Sequence, residues 1–212
     1  MIKSIFTLSV CLIFMTQAFP QKDPVALEIL DAMSTKYKNI PAFIADFNYI
    51  MENEEESIDE KFEGKITVKG GKYKLEVSGQ EIINDGVSVW TYSKDDNEVT
   101  ISEYDDTEEE ITLTNIFSIY KEGFKYLYIE TQENGKLDIV DLVPDDREKS
   151  YFKIRMEIKK PSRELKNFRI FDKSGSKYLY QIKTFAENSI IKDTDFKFDQ
   201  RRYPGVEIVD FR

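Results

Sequence analysis

The chain has 212 residues, 40 of them acidic and 30 basic, with no histidine and one cysteine, for a net charge of −10. So acidic a balance argues against nucleic acid and anionic lipid surfaces as partners. Because Cys11 sits in an apolar N-terminal run, the remainder cannot support cysteine or imidazole catalysis, Cys/His zinc sites or a disulfide scaffold.

The first element, residues 1–18, is expected to be a cleaved export signal. Lys3 is its only charge, Ile5 to Met15 is apolar, and Thr16-Gln17-Ala18 offers small residues for cleavage. The apolar run is about half of the roughly 20 residues that a membrane-spanning helix needs. Val10, rather than a lipobox residue, precedes Cys11, so lipid attachment is not expected. Cleavage leaves about 194 residues at a net charge of about −11, expected to form a single domain over 19–212 with its own core.

A helix comes next. Asp23-Pro24 supplies a cap and a first-turn proline, Ala26, Ile29, Leu30, Met33 and Tyr37 recur at helical spacing, and Ile40-Pro41 stops it. From Phe43 onward the pattern has period two. Phe43, Ala45, Phe47, Tyr49 and Met51 share one face, then Phe62, Gly64, Ile66 and Val68, then Tyr73, Leu75 and Val77. In the second half Phe152, Ile154, Met156 and Ile158 alternate with charged residues, followed by Phe168 and Ile170, then Tyr178, Tyr180 and Ile182, then Phe196 and Phe198. Such alternation marks antiparallel strands, about ten of them, each with one wet and one apolar face. Acidic clusters such as Glu52 to Glu56 and Asp105 to Glu110 read as solvated turns, and no calcium-loop signature is present.

One segment departs from the pattern. Thr112 to Gly123 has capping residues in Thr112 or Thr114, a glycine stop, and Ile116, Phe117 and Tyr120 on one stripe, which predicts a short helix between strands. An apolar sheet face of this width is too broad for one helix of about 15 residues to cover. The sheet must therefore curl. Its interior either fills with side chains or encloses an apolar ligand, and the pattern alone leaves both open.

Two stretches carry a resemblance. Asn84-Asp-Gly-Val-Ser-Val-Trp-Thr-Tyr92 and Phe196-Lys-Phe-Asp-Gln-Arg-Arg-Tyr-Pro-Gly-Val-Glu-Ile-Val-Asp210 are similar to the hairpin and the C-terminal motif of the periplasmic outer-membrane lipoprotein carrier family, the LolA-like proteins. Ile66-Thr-Val-Lys69, Tyr73-Lys-Leu75, Ile82-Ile-Asn-Asp-Gly86 and Thr114-Asn-Ile-Phe-Ser-Ile119 fit further family segments, with Asn115 in place of a lid proline.

The resemblance implies a mainly β (α+β) fold, an unclosed antiparallel half-barrel with a long N-terminal helix and a short lid helix over an apolar cavity. It implies a carrier that shields the acyl chains of lipoproteins in the periplasm of a Gram-negative envelope. Lipid-binding residues would be Phe47, Tyr49, Ile66, Val68, Tyr73, Leu75, Ile82, Val89, Phe152 and Ile154, with Ile116, Phe117 and Tyr120 in the lid. Implied partners are acylated lipoproteins, an inner-membrane lipoprotein-releasing transporter and an outer-membrane acceptor, with the carrier itself a monomer. No catalytic residue, metal or cofactor is expected. The family's lid-locking arginine position reads Gly70-Gly71 here, so any lock is expected from Lys69, Lys72 or Lys74. A carrier or sensor of another envelope lipid, or a protein-binding domain, remains the alternative reading.

Overall fold

The computed structural model describes residues 22–105, 111–188 and 190–212. The expected export signal and residues 106–110 of the acidic run lie outside them. Helix α1 (Pro24–Lys38) forms as the sequence predicts: the Asp23 carboxylate accepts from the backbone N–H of Val25 at 2.8 Å and of Ala26 at 3.4 Å, Pro24 opens the first turn, and Asn39 caps the end. Its predicted stripe of Ala26, Ile29, Leu30, Met33 and Tyr37 is buried.

Twelve strands follow among the described residues: β1 (Ala42–Asn53), β2 (Ile58–Lys69), β3 (Lys72–Val77), β4 (Gln80–Asn84), β5 (Ser88–Ser93), β6 (Glu98–Glu103), β7 (Phe124–Gln132), β8 (Leu137–Pro144), β9 (Tyr151–Lys159), β10 (Leu165–Asp172), β11 (Lys177–Glu187) and β12 (Glu207–Asp210). The sequence pattern predicts about ten; a strand as short as β12 is below the length at which alternation shows. All belong to one sheet in the order β12-β6-β5-β4-β3-β2-β1-β11-β10-β9-β8-β7. It is unclosed, with β12 and β7 at its edges, and every pairing is antiparallel except that of β12 with β6.

Cross-strand partners share a face, so the register fixes what lines the concave side. Phe47 opposes Gly64, Ala45 opposes Ile66, Ile66 opposes Leu75 and Leu75 opposes Ile82. Tyr49 opposes Tyr180, and Tyr180 opposes Phe168. The α1 stripe packs on this side with Phe43, Phe47, Val140, Leu142, Ile154, Met156 and Phe168 in one cluster.

Three expectations are corrected. Thr112 to Gly123 is not an α-helix: it is a chain of turns closed by a 3-10 turn at Ile119–Lys121, with the Thr112 carbonyl accepting from the N–H groups of Asn115 and Ile116. The Asn115 side chain also accepts from the Thr112 N–H, as at a helix start, yet the chain goes on in turns. Phe196 and Phe198 are not in a strand. Phe196 ends a 3-10 turn at Asp193–Phe196, and both rings, with Ile191, cover Ile44, Ile83 and Trp90 on the convex side, so that face is not wet throughout. Finally, Phe152 does not share a face with Ile154. The β9–β10 register slips so that Phe171 opposes Lys153 while Asp172 opposes Tyr151. This bulge turns Phe152 outward, 48% exposed against Phe171, and puts Tyr151 inside at 8%.

Candidate functional site

A cavity of about 290 Å³ opens on the concave side, walled by β1–β4, by Tyr180 of β11 and by Thr112, Leu113 and Thr114. Six of the sequence-predicted residues line it together: Phe47, Tyr49, Ile66, Tyr73, Leu75 and Ile82. Phe47 and Ile66 are 2% exposed, whereas the side chains of Tyr49, Tyr73, Leu75 and Ile82 are only half-buried. Half-buried apolar groups facing a void are what a ligand could complete.

The other four lie elsewhere. Val68 and Ile154 are buried in the core, at 7% and 0% exposure. Val89 sits opposite Asn84 on the concave parity but away from the cavity wall. Phe152 is outside, turned there by the β9 bulge. The cavity is also lined by residues not selected as site residues from the sequence, namely Val77, Gln80, Thr112, Leu113, Thr114 and Tyr180. Val77 and Tyr180 stand on the predicted apolar faces, so strand parity was the signal available for them. Leu113 precedes the stripe of the predicted helix and gave none.

The covering segment is packed rather than loose. Ile116 is 0%, Phe117 8% and Tyr120 1% exposed. The Phe117 ring stacks on Tyr37 of α1 with centroids 3.7 Å apart, and meets Phe43 edge-on at 6.3 Å. The Tyr120 hydroxyl donates to Asp31 Oδ1 at 2.6 Å. Burial, with that hydrogen bond, pushes the Tyr120 phenol up to about 12. The interior is thus largely filled with side chains, and the cavity is what remains between segment and sheet.

The lysines expected to lock the segment do not reach it. Lys69 and Lys72 point to the convex side, 3.4 and 3.5 Å from Asp193, and Lys74 lies 3.0 Å from Glu81. Gly70 has φ of +59°, a conformation that disfavours the arginine that the family resemblance implies for this position. Tyr120 and Asp31 make the tie instead. Among the described residues there is no cluster of His, Cys, Asp or Glu arranged to hold a metal. Among them, too, no helix is long and apolar enough to cross a membrane.

The curled, unclosed antiparallel sheet with its N-terminal helix is a LolA-like fold. Residues 38–199 match the family model of the outer membrane lipoprotein carrier protein LolA, and the chain belongs to that family. No curated protein sequence matches it. Among solved structures, it is similar to an uncharacterized conserved protein from Thermus thermophilus, at 13% identity, TM-score 0.57, over 88% of this chain and 99% of that one, a likeness of fold alone. A putative outer membrane lipoprotein-sorting protein domain from Vibrio parahaemolyticus matches at 14% identity and TM-score 0.47, over 82% and 96% of the two chains. A LolA superfamily protein from Nitrosomonas europaea matches at 10% identity and TM-score 0.45, over 82% and 98%.

Proposed function

We propose that this protein is a non-enzymatic periplasmic carrier that takes the acyl chains of lipoproteins into the cavity beside Leu75 and Ile82 and ferries them towards the outer membrane. On this reading residues 1–18 direct export, the mature chain works as a monomer, an inner-membrane lipoprotein-releasing transporter loads it, and an outer-membrane acceptor unloads it. The observation that carries the reading is the cavity: apolar strand faces left half-buried beside a covering segment, in a chain of the LolA family.

The energetics require the cover to move. At about 290 Å³ the cavity is at the small end of the roughly 300–1,000 Å³ typical of ligand pockets. Exposing Ile116, Phe117 and Tyr120 costs roughly 5–9 kcal/mol at about 1.5–3 kcal/mol per large side chain. Each methylene of cargo taken in returns about 0.8 kcal/mol. A chain that buries about six to eleven methylenes therefore offsets the opening. Shorter ones do not.

The small closed volume also favours a second reading, a carrier of a simpler envelope lipid on the same half-barrel. The test is to isolate the exported protein without detergent and identify what accompanies it by mass spectrometry. Acylated proteins support the lipoprotein carrier, free lipid the second reading, and neither would reject both.

A further inference from the structure

Beside the first cavity lies a second, of about 380 Å³, partly open to solvent. The two adjoin, with Tyr49 and Tyr180 lining both. Their linings differ in chemistry. The second cavity has Tyr49, Tyr151, Tyr178 and Tyr180 around it, with Ser150 and Asp172 as its polar groups, and among the described residues no lysine or arginine lines it. The strand register makes the aromatic concentration: Tyr49 and Tyr180 are paired, and Tyr178 precedes Tyr180 by two residues on the same face. Tyr49 and Tyr178 are parallel within 1° at 6.3 Å, and Tyr180 stands at 48° to Tyr49 with centroids 5.0 Å apart, forming an angled aromatic corner.

Ring faces attract cations, and a neighbouring carboxylate adds to that attraction. Asp172 supplies the carboxylate. Burial opposes its charge, but hydrogen bonds from Ser174 and Ser150, with Lys173 nearby, hold its pKa below the usual range, so it is ionised at neutral pH. The Lys173 ammonium itself is engaged by the Arg147 carbonyl. The bulge at Phe152 completes the arrangement, because it brings Tyr151 and Asp172 opposite one another. A phosphate or carboxylate end would find no counter-charge in this lining, whereas an ammonium finds tyrosine faces and Asp172.

We propose that the second cavity is a headgroup subsite for an ammonium, primary or quaternary, on the same amphiphile whose acyl chain occupies the cavity beside Leu75. This rests on the acyl-cavity reading above and adds the polar end of the ligand to it.

The experiment compares lysophosphatidylcholine with lysophosphatidylglycerol of the same saturated chain, below micelle formation. It is done at physiological salt, where a screening length of about 8 Å suppresses the pull of net charge. Wild type should bind the choline lipid about fivefold tighter, the scale of a partly desolvated cation–π contact. Asp172→Asn and, separately, Tyr178→Leu should bring the ratio towards one while leaving lysophosphatidylglycerol affinity unchanged. If Asp172→Asn disturbs its turn and lowers both affinities, the Tyr178→Leu ratio decides. Equal affinities in wild type, or a preference that survives Tyr178→Leu, overturns the headgroup subsite and leaves the acyl cavity standing. Failure of both lipids to bind overturns the acyl cavity, and the subsite with it.

Discussion

The Tyr120 hydroxyl, 2.6 Å from Asp31 Oδ1, joins the segment that covers the cavity to helix α1. The ring is 1% exposed, while Asp31 lies at the surface of the helix. The cover is therefore held by apolar burial inside and by a charge-assisted hydrogen bond at its margin. Tyr120→Phe separates the two, since it keeps the ring and removes the donor. The lost bond should cost about 1.5–3 kcal/mol. The delipidated variant should bind a hydrophobic dye such as ANS more strongly than wild type and release acylated cargo faster. Unchanged dye binding and release would make the segment a barrel plug rather than a lid.

The same phenol sets an alkaline limit. Burial raises Tyr120 and Tyr37 to about 12 from an ordinary value of 10.0. Between those pH values the unfolded chain has lost both protons and the folded chain keeps them, so stability falls as pH rises. It is fully present below about pH 10, in the absence of other titrations, and declines up to about pH 12. Tyr120→Phe should flatten part of that decline in urea melts recorded across this window. An identical slope in the variant would mean that Tyr120 ionises as freely folded as unfolded.

The cavity wall should accept apolar exchange and reject charge. Leu75 and Ile82 are paired on the concave face and half-buried, so each can carry a charged head that still reaches solvent in the empty state. Leu75→Arg or Ile82→Glu should fold, yet leave an unpaired charge where the proposed acyl chain would lie, at a cost of several kcal/mol. Leu75→Met should bind as wild type does. Cargo bound equally well by Leu75→Arg would show that the chains lie elsewhere.

Gly64 answers to Phe47. A Cβ built on Gly64 would fall 2.4 Å from Cζ of the Phe47 ring, which covers it. Because Phe47 borders the cavity, the ring has that space to move into. Gly64→Ala should cost about 1–3 kcal/mol from overpacking, and should weaken acyl binding by narrowing the cavity. Adding Phe47→Leu should restore both. Gly64→Ala with wild-type stability would mean that the ring moves freely.

The helix and the apolar strand faces were legible because their signals are local. Asp23-Pro24 and the stripe to Tyr37 need only helical geometry, and Phe47 to Ile82 need only parity along one strand. Phe152 was misplaced because a bulge is a property of two paired strands, and one extra residue reverses every face beyond it. The covering segment misled for a related reason. Its stripe of Ile116, Phe117 and Tyr120 is real and buried, but tertiary packing holds it in turns rather than in a helix. Which of the concave residues face a void rather than the core depends on where α1 and that segment come to rest. No spacing rule carries this.

The same limit concealed the convex side, and there it gives a clean reporter. Trp90, the chain's one tryptophan, pairs with Ile83 and Ile101 and faces away from the cavity. Ile191, Phe196 and Phe198 of the C-terminal strap pack over it and its neighbours, and Phe198 stacks on Tyr203 at 4.8 Å. Phe196 is 0% exposed, so Phe196→Ala should cost about 3–5 kcal/mol. Loosening the strap should also shift Trp90 emission to the red as water reaches the indole. On the carrier reading, loading with acylated cargo should rearrange the concave side and leave the emission of wild type where it was. An emission change on loading would show that the strap moves with the lid, and would place the two faces of the sheet in one conformational unit.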